Sequence, residues 1–372
     1  MAQQSLADPS DVTRTAGTPT SVGPTPPSVA GDPLLGAVIG RGYRLTKLLG
    51  EGGMGAVYEA SSPSGERVAL KLIRGQQDGE ALRRFVREVR AMQAIQSPHV
   101  VRVIDADTDA SQGLPYIVME LLDGRDLGAF IRELGPLDPS RMARLFLQAG
   151  QGLAAIHDAG LIHRDIKPSN IFLHHGAEGL VAKVCDFGVA KHTGSDTGTE
   201  LTHTGGIVGS PHYMSPEQVQ DSKHVDRRSD LWSLSMAMYE ALSGHKGWAQ
   251  CTSVGEVLVA ICTRDLPPLR REAPWVSEGL AEIIQRNLRR PTGERFASAL
   301  EFSAALKPFA AEQIDAASLA VSDELRAASP PLIEASTVST REPPSPPTSR
   351  KNVFGAALLA AGLAAGLGLL QS

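Results

Sequence analysis

Cysteine is scarce in this chain. It has three in 372 residues, Cys185, Cys251 and Cys262, neither even in number nor paired in spacing. That excludes a disulfide-built fold and a four-cysteine zinc framework, and it fits a reducing compartment. The ten histidines are scattered, so no metal-ligand cluster of ordinary spacing stands out. An excess of one charge is lacking too. Against 41 acidic residues stand 36 lysines and arginines, a formal net charge of -5, which is too mild for a nucleic-acid surface. The opening residues MAQQSLADPSDVTR have no basic start and no apolar run, so no secretory signal is expected. No internal repeat is found.

What remains is an ordinary globular composition, 42% hydrophobic and 21% charged, with one apolar run at the end. Residues 353–370, VFGAALLAAGLAAGLGLL, carry no charge. Roughly 18 residues at about 1.5 Å each reach about 27 Å, close to the hydrocarbon core of a bilayer. Arg350 and Lys351 precede the run, which predicts a single-pass helix in the cytoplasmic membrane with the bulk of the chain in the cytoplasm. Gly362 and Gly366 form a GxxxG face compatible with helix pairing.

Residues 1–42 are rich in Ser, Thr, Pro and Gly and read as a disordered tail. From Tyr43 the texture changes to short strands: YRLTKLLG, AVYEA and ERVALKLI, with YIVMELL farther on. Between them Ala81 to Ile95 has helical period, with Leu82, Phe85, Val89, Met92 and Ile95 on one stripe and Glu88 beside it. An acid facing a core needs a cation. Asp123-Gly124 marks a turn, and Asp138-Pro139 opens a helix striped by Met142, Leu145, Phe146, Ala149, Leu153 and Ile156. Asp230 to Leu242 is apolar nearly all round, the mark of a buried central helix. The order predicts an α+β chain of two unequal lobes: a small β-rich lobe at 43–119, a hinge at 120–123 and a helical lobe at 124–308. A Pro/Ser/Thr-rich linker follows at 309–352, with a weak helical piece around Ala311 to Ala328.

Chemistry concentrates in five places. Gly50-Glu51-Gly52-Gly53-Met54-Gly55-Ala56-Val57 lets backbone amides approach phosphate oxygens, although alone it fits a tight hairpin equally well. Lys71 stands on an apolar strand and needs an acid, for which Glu88 is the candidate. In LIHRDIKPSNIF, Asp165 can accept a hydroxyl proton, Lys167 supplies a mobile positive charge and Asn170 offers an amide oxygen to a hard cation. Asp186-Phe187-Gly188 follows a strand and adds a second carboxylate. Ser215-Pro216-Glu217 closes the polar segment that begins at Asp186.

These motifs, in this order, resemble the eukaryotic-like serine/threonine protein kinases, and GEGGMGAVY with MSPEQ looks like their bacterial branch. The resemblance spans about Tyr43 to Pro308 and implies a bilobal protein-kinase fold, with one regulatory helix in the β-rich lobe and ATP bound between the lobes. Lys71 would then hold the α- and β-phosphates, steadied by Glu88. Asp186 and Asn170 would hold Mg²⁺, with Mn²⁺ as a substitute. Asp165 would orient a Ser/Thr hydroxyl of a protein substrate, and Lys167 would neutralise the γ-phosphoryl group. Leu49 and the glycine-rich loop would cover the phosphates, while Val57 and Ala69 would cover the adenine. Met119 would back the adenine pocket, and Glu120 to Leu122 would form the hinge.

Arg164 and Lys191 would receive a phosphate on Thr202 or Thr204 of the activation segment, giving activation by autophosphorylation. Ser210 stands where threonine is commoner and carries the same hydroxyl. Asp230 would brace the catalytic loop and Glu217 would pair with Arg295. Ser235 replaces a usual glycine, with no account from sequence. Cys185 reads as a small buried residue, with thiol labelling as its alternative. A homodimer through the kinase lobe or the membrane helix is compatible with this reading. Two alternatives compete with active transfer to protein. A membrane-tethered pseudokinase or scaffold is opposed by the presence of Lys71, Asp165, Asn170 and Asp186, and a small-molecule kinase by the complete activation segment.

Overall fold

The computed structural model describes residues 32–52, 55–73, 79–110, 113–186, 211–221 and 225–327, with the side chains of 79–84 and 86 excepted. All of these belong to one compact unit, Met1–Leu332, and a second unit, Ile333–Ser372, lies outside them.

The small lobe is a six-stranded antiparallel sheet in the order β1-β2-β3-β4-β6-β5. Its strands are β1 (Val38–Ile39), β2 (Tyr43–Gly52), β3 (Gly55–Ser61), β4 (Arg67–Ile73), β5 (Val103–Thr108) and β6 (Pro115–Glu120), with helix α1 (Gly79–Gln93) between β4 and β5. Strand periodicity of two sorts the side chains onto two faces. Ala56, Tyr58, Ala60, Val68, Leu70, Leu72, Tyr116 and Val118 pack with Ile39, Tyr43 and Leu45 on the outer face. The register pairs Val57 with Lys71, Ala69 with Met119 and Lys71 with Ile117, so these five share the inner face, toward the second lobe. Under that face Phe85, Val89 and Met92 of α1 pack against Ile73, Val103 and Ile117. Ile95, expected on the same stripe, lies past the end of α1 and packs into the core of the other lobe.

The second lobe opens with a short strand, β7 (Gly124–Asp126), and α2 (Leu127–Leu134), where a turn was expected from Asp123-Gly124. Asp126 caps α2 by accepting from Ala129 N. Next come α3 (Pro139–Asp158), β8 (Ile171–Gly176) and β9 (Gly179–Val184). The remaining helices are α4 (Pro216–Gln220), α5 (Arg227–Ser243), α6 (Val254–Thr263), α7 (Leu269–Glu272), α8 (Glu278–Asn287), α9 (Ala299–Leu306) and α10 (Asp323–Ala327). Asp138 caps α3 through Ser140 N and Arg141 N, with Pro139 in the first turn, as its sequence predicts. The expected stripe of α3 is buried throughout, and α5 is buried on nearly every side at the centre of the lobe. Ser235 of α5, unexplained by sequence, is fully buried and receives a bond from Asn287 Nδ2 of α8 at 3.1 Å. Glycine there would orphan that amide. The β-rich lobe with a single helix and the helical lobe match the expected bilobal α+β architecture.

Two expected boundaries are corrected. Residues 32–42 were assigned to a disordered tail, yet β1 pairs with β2, Ile39 is buried and Asp32 Oδ2 accepts from Tyr58 Oη at 2.8 Å. The linker expected at 309–352 begins as part of the helical lobe. Ile314, Leu319 and Val321 are buried, and four backbone bonds tie the segment down: Asp138 N to Leu319 O (2.7 Å), Leu180 N to Ile314 O (3.0 Å), Ala311 N to Ser140 O (3.0 Å) and Val321 N to Pro136 O (3.3 Å). Three apolar residues spaced along irregular chain with one 3-10 turn give no helical period, which is why composition hid them. The weak helical piece reduces to a 3-10 turn at Ala316–Ser318 and α10. Among the described residues no helix is long and apolar enough to cross a membrane, and 353–370 lies outside them.

Candidate active site

The catalytic-loop residues lie between α3 and β8, and buried groups fix their backbone. Asp230 of α5, fully buried, accepts from His163 N at 2.9 Å, from Arg164 N at 2.8 Å and from His157 Nε2 at 2.9 Å. This is the bracing expected of it, and it serves donors that burial would otherwise orphan. The imidazole of His163 is fully enclosed, and that desolvation holds its pKa below the usual histidine value. Neutral, it donates from Nε2 to Cys185 O at 3.0 Å and accepts from Asp165 N at Nδ1 at 3.3 Å, so its partners set its tautomer.

Asp165, Lys167 and Asn170 converge as expected. Lys167 Nζ meets Asp165 Oδ2 at 2.9 Å. Asn170 Nδ2 donates to Asp165 O at 2.8 Å and to Asp165 Oδ2 at 3.2 Å. A 3-10 turn, Pro168–Asn170, sets this spacing before β8 begins. Strands β8 and β9 form a hairpin that returns the chain beside the loop, where Cys185 N donates to Asn170 O at 2.9 Å. Asp186 therefore emerges next to Asn170. Both Arg164 (φ 62°) and Asp186 (φ 56°) hold left-handed backbone, a strained conformation for side chains of this kind.

The roof comes from the small lobe. Gly50, Glu51 and Gly52 end β2 in exposed positions, paired to Val57, Ala56 and Gly55 across the hairpin. A Cβ on Gly50 or Gly52 would meet nothing, leaving the backbone open to a ligand, whereas a Cβ on Gly55 (φ 148°) would collide with Leu72 O. Leu49 is exposed, Val57, Met119 and Leu122 are half-buried, and Ala69 is buried. Gly53, Met54, Phe187, Gly188, Lys191, Thr202, Thr204 and Ser210 lie outside the described residues.

Lys71 crosses from roof to floor. Its Nζ sits 2.7 Å from Asp186 Oδ1, with the lysine side chain 16% exposed and the aspartate 41%. The partner expected for this lysine was Glu88. Glu88 is half-buried on α1, but a Lys71–Glu88 pair is not among the ion pairs of the described residues. Asp186, on a neighbouring motif, reaches the ammonium instead.

Two features escaped the sequence reading, and a third bears on one it made. Lys183, buried on β9, pairs with Glu120 Oε1 at 2.7 Å, and the same oxygen accepts from Arg102 N at 2.9 Å. The hinge glutamate thus has its side chain pinned, although only its backbone was expected to matter. A lysine in an otherwise apolar strand demands a counter-charge, the signal already applied to Lys71. The second feature is Gln218 on α4, whose Nε2 donates to Arg164 O at 3.0 Å. The pattern Ser215-x-x-Gln218 is legible as a capping box. The third is the thiol of Cys185, read from the sequence as small and buried with labelling as its alternative. Its pKa is pushed up by burial, with the Asp186 carboxylate adding to the effect, so it stays protonated and a poor nucleophile.

Glu217 makes a two-pronged pair with Arg295, Oε1 to Nη1 at 2.7 Å and Oε2 to Nη2 at 2.9 Å, and accepts from Ser229 Oγ at 2.6 Å. Burial alone would raise its pKa, but these bonds outweigh it and hold the carboxyl below its usual range. The guanidinium also lies over Trp232, 4.9 Å from the ring centroid.

Comparison with known proteins agrees with this geometry. Residues 43–304 match the model of the protein kinase domain family. The chain is 38% identical over 289 residues to serine/threonine-protein kinase Pkn1 of Myxococcus xanthus, covering 77% of this chain and 40% of that protein. With serine/threonine-protein kinase PknB of Mycolicibacterium smegmatis it shares 35% identity over 269 residues, 71% of this chain and 42% of that one. The chain thus spans about a third to a half of the length of curated relatives it matches, from 32% of Myxococcus xanthus pkn2 to 51% of pkn3. In fold it is similar to the crystal structure of the Mycobacterium tuberculosis PknI kinase domain, with a TM-score of 0.57 over 74% of this chain and 98% of that one, at 24% identity.

Proposed function

The chain belongs to the protein kinase domain family, and from that premise we propose that it transfers the γ-phosphoryl group of ATP to serine and threonine hydroxyls of proteins. The observation that carries the reading is the Lys71–Asp186 pair. It brings a roof motif and a floor motif together 2.7 Å apart, beside the cluster of Asp165, Lys167 and Asn170. The open backbone at Gly50 and Gly52 suits phosphate oxygens, and Lys71 supplies the positive charge that the α- and β-phosphates require. Asp165, with Oδ2 oriented by Lys167 and Asn170, aligns the substrate hydroxyl and takes its proton. Lys167 is then placed to offset negative charge on the transferring group. Such transfer is mainly positioning and electrostatics, and this loop is built for both.

The residues present also fit Mg²⁺. Asn170 spends its amide nitrogen on Asp165, leaving the amide oxygen as a hard donor, and Asp186 adds a carboxylate. When bound, the ion would neutralise phosphate charge. Two oxygen donors are too few for an all-protein cage, which suits an ion that keeps waters and phosphate oxygens as ligands.

Autophosphorylation of Thr202 or Thr204, with Arg164 and Lys191 as the receiving cations, remains part of the proposal. So does a membrane helix at 353–370, supported by its length, its lack of charge and the preceding Arg350 and Lys351. The test is incubation of the full chain with labelled Mg-ATP and a generic protein substrate. Label is expected on serine and threonine, with the rate reduced about 10²–10⁴-fold in Asp165→Asn. An equal rate in the two proteins would remove Asp165 from the chemistry. Nucleotide binding with no transfer by the unaltered chain would favour a scaffold.

A further inference from the structure

Gln218 lies on α4, beyond the segment that separates Asp186 from Pro211, and its side-chain amide is used at both ends. Oε1 accepts from Ser215 N at 3.0 Å, while Gln218 N donates to Ser215 Oγ at 3.3 Å; together these form the capping box of α4. Nε2 points the other way and donates to Arg164 O at 3.0 Å. The orientation of the amide is not arbitrary. Ser215 N–H can only donate and the Arg164 carbonyl can only accept, so one flip state alone satisfies both.

Arg164 O belongs to the peptide unit that leads into Asp165. The preceding N–H of Arg164 is held by Asp230 Oδ1 at 2.8 Å. Arg164 is thus gripped on both sides, its N–H by α5 and its C=O by α4, while its φ of 62° is one that arginine does not hold by preference. Released from either grip, the residue would relax toward right-handed or extended backbone and rotate the peptide plane that aims Asp165.

We propose that Gln218 is a positioning residue for phosphoryl transfer, its amide fixing the Arg164–Asp165 peptide and so coupling the docking of α4 to the aim of the catalytic aspartate. This rests on the reading of Asp165 as the proton acceptor. It adds a mechanical link between the end of the activation segment and the catalytic loop that needs no phosphate.

The discriminating variant is Gln218→Glu. A carboxylate keeps the acceptor for Ser215 N and hence the cap, but it loses the donor and sets an anion against the Arg164 carbonyl. With peptide substrate and saturating Mg-ATP, kcat is expected to fall about ten- to a hundredfold, as misaimed catalytic groups do. The Michaelis constant for ATP and the melting temperature should stay close to those of the parent. One further sign belongs to this role alone: protonating the introduced carboxyl restores a donor, so the ratio of variant to parent kcat should rise as pH falls through the carboxylate range. Gln218→Met, which has neither donor nor acceptor, should show the kcat loss without the pH recovery, and it substitutes for the first variant should that one fail to fold.

A parent that transfers phosphate while both variants match its kcat would overturn the coupling and leave the activity intact. So would a deficit confined to the Michaelis constant for peptide, which would place Gln218 in the substrate platform. A parent without transfer, with nucleotide still bound, would instead bring down the kinase reading on which the coupling rests.

Discussion

Floor and roof of the cleft are built in opposite ways. In the floor, Asp165 and its neighbours hang from side chains with little or no solvent: Asp230 on two backbone amides, His163 between Cys185 O and Asp165 N, and Asn170 on Asp165. In the roof, the end of β2 at Gly50–Gly52 is exposed and held mainly by the β2–β3 ladder, against the buried Gly55 and Ala56 of β3. The difference teaches how the work is divided. Groups that act on a proton must be aimed to within a fraction of an ångström, and bonds buried away from water hold that aim. A cover for flexible phosphates has to adapt, and an exposed strand end with room beside Gly50 and Gly52 can.

If the floor is the rigid half, damaging its supports should cost far more than damaging the roof. The largest effect is expected from Arg295→Met. It leaves the mostly buried Glu217 carboxylate (18% exposed) without its counter-charge, held only by Ser229, and should lower stability by about 3 kcal/mol in a denaturant titration. Acid adds a sign to this. In the parent the folded pKa of Glu217 is depressed, so its contribution is fully present above the ordinary carboxylate value near pH ~4.3 and is lost as pH falls through the lower folded value. In the variant the dependence reverses, because protonation relieves the stranded charge, and the gap between the two proteins should narrow toward acid. A gap that widens would contradict the pairing.

Asp230→Asn comes next. An amide in place of the carboxylate keeps one acceptor but sets an NH₂ against a backbone N–H. An approximately hundredfold fall in kcat is expected, equal to about 2.7 kcal/mol of barrier. An unchanged kcat would mean that the catalytic loop needs no brace. The smallest effect is expected in the roof. Gly52→Ala adds a Cβ that meets no protein atom, so melting should shift little, while the Michaelis constant for ATP rises a fewfold as the backbone loses its approach to phosphate. Instability without any change in ATP affinity would make Gly52 a structural glycine and blur the contrast.

The sequence disclosed the floor more fully than the joints. Strand alternation around Lys71, the cap and stripe of α3 and the all-apolar α5 were legible because each is a local pattern of period 2 or 3.6. The braces Asp230 and Glu217–Arg295 were legible through resemblance. Helix α2 was missed because eight residues give too few turns for a period, although Asp126 is an ordinary cap. Residues 32–42 were taken for tail because a two-residue strand is too short to show a period, and 310–321 for linker because the backbone partners of Ile314 and Leu319, Leu180 and Asp138, lie far off along the chain.

Local order along the chain was enough to single out the residue types proposed for phosphate, metal and hydroxyl, since those motifs are contiguous and their backbone needs are local. Only tertiary structure decided who holds whom. Lys71 meets Asp186, Lys183 meets Glu120 and Gln218 meets Arg164, across separations of up to 115 residues. A buried charge or amide must find some partner, but the folding of distant segments against one another selects which one.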